Sequence, residues 1–150
     1  WEGGEFDFVT RSVTDACLGG ALEALFMPEG PDTPHPFLYP IYAPPYDALP
    51  ASYDVDFREP FVGMPVTVTA GQDGALEIRG SVMDEVTMGP TWGDCVTTMS
   101  VDADLYPTGP TSLVGQARIA ISDPRGTQER CPVFDEDPCV VTLDLAATGR

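Results

Sequence analysis

Apolar and polar residues alternate one for one through much of this chain, the period-two pattern of a β-strand with one buried face. Phe6 and Phe8 alternate with Glu5 and Asp7, so residues 5–13 are expected to form a first strand. Tyr53, Val55 and Phe57 alternate with Asp54 and Asp56 in the same way. A hairpin follows. Val66, Val68 and Ala70 lead to Asp73-Gly74, a pair suited to a tight turn, and Leu76, Ile78 and Val82 return from it. Gly80 in the return strand predicts a bulge or bend. Residues 95–105 place Cys95, Thr97, Met99, Val101, Ala103 and Leu105 on one face. Ala117, Ile119 and Ile121 repeat the pattern, as do Val141, Leu143 and Leu145, and Asp123-Pro124-Arg125-Gly126 has the composition of a type I turn.

Two stretches depart from alternation. Residues 14–27 space Ala16, Leu18, Ala21, Leu22, Leu25 and Phe26 more nearly as a helix would, but Gly19 and Gly20 equally suit an irregular wrap. Residues 28–50 hold eight prolines, which removes too many backbone donors for an interior strand or helix. Leu38, Tyr39, Ile41, Tyr42, Tyr46 and Leu49 make that segment too apolar for a solvated linker, so it is expected to lie as a loop across the sheets and bury its aromatic residues. The fold class is therefore all-β. Residues 1–150 are expected to form a single domain of about seven or eight antiparallel strands, a β-sandwich or small β-barrel with at most one short helix, the sandwich slightly preferred.

Cysteine usage bears on the compartment. Cys17, Cys95, Cys131 and Cys139 form an even set in a chain with a single histidine, which fits disulfides in an oxidising environment. Zinc is the rival use, but it favours pairs two to four residues apart, and the closest pair here, Cys131 and Cys139, is wider. That pair flanks a turn-rich loop, so the preferred connectivity is Cys131 with Cys139 and Cys17 with Cys95, closing loops that contribute about 2.5 and about 4.5 kcal/mol respectively. The sequence starts at Trp1 and has no apolar run long enough to span a bilayer, as expected of an exported chain whose signal segment was removed, or of a trimmed lipoprotein. An extracytoplasmic location follows: periplasm, outer surface or secreted.

Seven basic against 24 acidic residues give a formal charge of −17, a field that repels nucleic acid and anionic headgroups. Catalytic signatures are sparse. His35 sits between Pro34 and Pro36, on a poor scaffold for a triad, and no phosphate loop, nucleophile elbow or His-Glu-x-x-His motif is present. Clustered aspartates suit calcium, which takes six to eight oxygen ligands. The clusters are Asp54 with Asp56, Asp102 with Asp104, and Asp135-Glu136-Asp137, none with the spacing of a known calcium loop. Like charges on one sheet face need an offset, from a cation, from Arg79 or Arg118, or from a partner. Tyr39, Tyr42, Tyr46 and Trp92 supply a candidate surface for a protein or carbohydrate partner at the cell surface. The expectation is a non-enzymatic cell-envelope binding or structural module. A small carboxylate-dependent hydrolase and a calcium-dependent adhesive or lectin-like module are the alternatives.

Overall fold

A computed structural model describes residues 1–15, 17, 19–20, 23, 26–27, 29–34, 41–55, 63–87, 95–126, 131, 133–134 and 136–150. Its strands are β1 (Gly4–Asp15), β2 (Thr33–Pro34), β3 (Ile41–Ala43), β4 (Ala51–Val55), β5 (Met64–Ala70), β6 (Leu76–Gly80), β7 (Met83–Thr87), β8 (Val96–Gly109), β9 (Ser112–Arg125) and β10 (Cys139–Gly149). All described pairings are antiparallel and belong to one sheet, in the order β2-β1-β10-β9-β8-β6-β5-β4. β2 and β3 follow one another along the free edge of β1, while β6 and β7 follow one another along β8. Each of those pairs acts as one broken stave. The result is an eight-strand, nearly closed barrel, and the sandwich gives way because a single hydrogen-bonded ladder runs through every strand.

Local sequence explains the bends. The β5–β6 hairpin turns at Asp73 and Gly74, both with positive φ, and the Ala75 N–H donates to the Gln72 carbonyl. At Gly80 the return strand breaks before β7, as its glycine predicts: a Cβ there would lie 2.7 Å from the Met64 sulfur and 2.8 Å from the Val101 carbonyl oxygen. The expected turn at residues 123–126 is absent. β9 instead runs on to Arg125 and absorbs an extra residue as a bulge, Thr98 pairing with Ser122 but Val96 with Arg125, with Asp123 at φ 52°.

The alternation itself holds. Cys95, Thr97, Met99, Ala103 and Leu105 are buried along β8, as are Ala117, Ile119 and Ile121 on β9 and Val141, Leu143 and Leu145 on β10. Of residues 14–27, Thr14 and Asp15 still belong to β1, whereas Glu23 and Phe26 are helical and the Met27 N–H donates to the Glu23 carbonyl; residues 16, 18, 21–22 and 24–25 lie outside the described residues.

The proline-rich segment differs from the expected loop. Residues 33–34 and 41–43 are short strands on β1, and residues 46–48 form a 3-10 turn. An edge position accommodates proline because only one side of an edge strand needs hydrogen bonds. Ala43 and Pro44 are buried, yet Tyr42 is 48% and Tyr46 36% exposed, so the segment closes the sheet edge with small residues and turns these tyrosines outward. Leu38 and Tyr39 lie outside the described residues.

Two disulfides are present, but not with the preferred pairing. Cys17 bonds Cys139, and Cys95 bonds Cys131, with Cα–Cα distances of 5.5 and 5.1 Å. Topology decides this. Cys17 follows the end of β1 and Cys139 opens β10, whose Val141 is in register with Asp15. Cys95 precedes β8, whose first residue pairs with Arg125 near the end of β9, and Cys131 lies shortly beyond. These bridges fit an oxidising compartment. No helix among the described residues is long and apolar enough to cross a membrane.

Candidate functional site

Inward-facing side chains meet at successive levels set by the strand register. One level is Leu76 beside Leu105, then Gly115, then Leu145, where leucines project from three of four successive staves. The next is Ile78, Ala103, Ala117 and Leu143, and it places two alanines side by side at the middle of the wall. Small side chains there leave space. The buried apolar residues accordingly divide into a large cluster and a small one of Val55, Met64 and Val66, bridged by half-buried Ile41, Tyr53, Ile78, Met83 and Val101.

Between the clusters lies a cavity of about 120 Å³. Phe8, Phe26 and Ile41 line it on one side, Val55, Met64 and Val66 on another, and Ala103, Ala117 and Leu143 opposite. Among the described lining residues Tyr53 alone carries a side-chain oxygen or nitrogen, and none is a carboxylate. A water here would lack the two to four polar partners it needs. An eight-stranded barrel is also the size whose interior side chains just fill it or admit one small ligand.

Tyr53 stands at the barrel's seam. Among the described residues β4 is paired only with β5 and β3 only with β1, so no backbone ladder joins β3 to β4. The Tyr53 hydroxyl crosses that gap and donates to the Tyr42 carbonyl at 2.5 Å, and the two rings meet edge to face at 6.0 Å. Burial, with a smaller contribution from Tyr42, pushes the Tyr53 hydroxyl up to about 12.

No family model, curated protein or solved structure matches the chain. The site therefore rests on its own geometry.

Among the described residues, Asp102, Asp104 and Asp144 lie elsewhere, on the outer face. Asp102 and Asp104 project from β8, with Arg118 and Arg79 in register on either side of Asp102, and Arg79 Nη1 bonds Asp104 Oδ1 at 3.0 Å. On this face Arg79 offsets Asp104 and Glu77, and Arg118 stands in register with Asp102. Asp144 accepts hydrogen bonds from Ser12 and Gln116, which hold its carboxyl below the usual range. Asp54 sits on β4, with two strands between it and β8, while Asp56, Asp135, His35 and Trp92 lie outside the described residues. Tyr46 donates its hydroxyl to the Gly74 carbonyl across the mouth of the hairpin. Walls apolar inward and charged outward are the reverse of a bilayer-spanning barrel.

The sequence expectation missed the cavity. Its signal is Ala103 and Ala117, each inward on its own strand, but their adjacency appears only once β8 and β9 are put in register.

Proposed function

We propose that the protein is a non-enzymatic binding module of an oxidising, extracytoplasmic compartment, such as a cell envelope, and that its binding site is the barrel interior. The guest is a small uncharged molecule, or an apolar group of a larger one. The observation that carries this reading is the apolar cavity between the two core clusters. A closed cavity of 120 Å³, at about 24 cal/mol per Å³, would forgo at most about 2.9 kcal/mol of packing if left unfilled. A guest recovers part of that. Apolar cavities of about 150 Å³ take benzene or xenon, which sets the guest at roughly the size of one ring. The charge of −17 and the apolar character of the described lining weigh against anionic amphiphiles.

Thermal unfolding with benzene as probe tests the proposal. At a hundredfold excess over Kd the stabilisation is about 2.7 kcal/mol, a rise in Tm of roughly 5–10 °C. Benzoate, with the same ring and a charge, should give none. Equal shifts with both, or no shift with benzene, would contradict the proposal.

A further inference from the structure

The barrel has one boundary without a described backbone ladder, between β3 and β4, and the cavity lies directly behind it. Ile41 on β3 and Tyr53 and Val55 on β4 line the cavity from the two sides of this boundary. Every other stave boundary is held by a series of backbone hydrogen bonds, so parting it breaks several at once. At this seam the described polar link is the single bond from the Tyr53 hydroxyl to the Tyr42 carbonyl. Tyr53 itself is half-buried, its ring on the cavity and its hydroxyl at the rim against exposed Tyr42.

We propose that Tyr53 is the gate of the barrel: an uncharged apolar guest enters and leaves between β3 and β4 when the Tyr53 hydroxyl releases the Tyr42 carbonyl and its ring swings off the cavity. The inference rests on the cavity being the binding site. Its chemistry suits a gate. A neutral hydroxyl that leaves a carbonyl exchanges that bond for bonds with water, so the latch slows opening by only about fivefold, beyond the aromatic contact and the apolar area briefly exposed. The net charge of −17 disfavours the approach of an anionic head, which favours neutral guests.

A gate controls rates, whereas a lining residue controls affinity. The test is benzene exchange measured by NMR on protein labelled at its methionine methyls, since Met64, Met83 and Met99 all line the cavity. Tyr53→Phe keeps the ring and removes the latch. It should raise association and dissociation rates together by about fivefold, the factor that one neutral hydrogen bond is worth, with Kd unchanged within twofold. Tyr106→Phe, at an exposed tyrosine on β8, should alter neither rate. Unchanged rates in Tyr53→Phe, or a change in Kd with an unaltered association rate, would overturn the gate and leave the cavity reading standing. Failure of the wild-type protein to bind benzene would overturn both.

Discussion

Ala103→Val should stabilise the protein, against the usual direction for enlarging a buried residue. Ala103 is 8% exposed and faces the cavity beside Ala117 on β9 and Ile78 on β6. Valine adds two methyl groups at about 0.8 kcal/mol each, so the gain is at most about 1.6 kcal/mol. That lies within the roughly 2.9 kcal/mol that filling the whole 120 Å³ would return. Alanine-to-valine also raises β propensity, so a matched control is needed. Ala147→Val is that control: Ala147 is 3% exposed in a strand, in register with Phe8 and Leu113, and does not line the cavity. With no space to receive them, its two methyls should cost about 1–3 kcal/mol. Urea unfolding of both variants with disulfides intact, at an unchanged m-value, measures the contrast. A rise in Tm of about 3–6 °C should accompany Ala103→Val, with loss of the benzene response. Equal destabilisation by the two substitutions would refute the void and the function built on it.

Three further outcomes follow from the geometry. Because the Tyr53 hydroxyl titrates near 12 in the folded chain and about 10 when unfolded, its contribution is complete below pH 10 and lost as pH rises from about 10 to 12; Tyr53→Phe should flatten stability across that window, and an unchanged slope would place the hydroxyl in water. The Cys17–Cys139 bridge spans 122 residues and Cys95–Cys131 spans 36, so on the chain-entropy model they contribute about 4.9 and about 3.8 kcal/mol; removing the first pair should cost about 1 kcal/mol more, and unreduced peptide mapping should recover these two links and no Cys131–Cys139 peptide. With Arg79 on Asp104 and Arg118 in register with Asp102, calcium should raise Tm no more than sodium chloride at matched ionic strength; a calcium-specific rise lost in Asp102→Asn with Asp104→Asn would show a cation site on that face.

Single strands were the legible part of the fold. The β8 face from Cys95 to Leu105 and the Asp73-Gly74 hairpin can be read directly, because burial on one face forces a period of two and a tight turn needs residues that tolerate positive φ. Relations between distant strands were not. Loop composition suggests Cys131 with Cys139, yet the bridges join strand ends that only the sheet order brings together. Proline density in residues 28–50 conceals β2 and β3, since a sheet edge needs hydrogen bonds from one side only. Asp123 and Pro124 have turn chemistry, but a long antiparallel partner absorbs them as a bulge. The cavity is the extreme case. It arises from what is missing at one level of four strands, and Tyr53 becomes its rim only when the first and last staves approach.

A crystal structure under xenon pressure tests the central claim most directly. Xenon enters dry apolar cavities without requiring a hydrogen bond, and its electron density is unmistakable. One xenon site is expected within van der Waals contact of Ala103, Ala117 and Met64, absent from an Ala103→Val crystal treated alike. Xenon found only on the surface, or a cavity filled by ordered water or collapsed side chains, would contradict it.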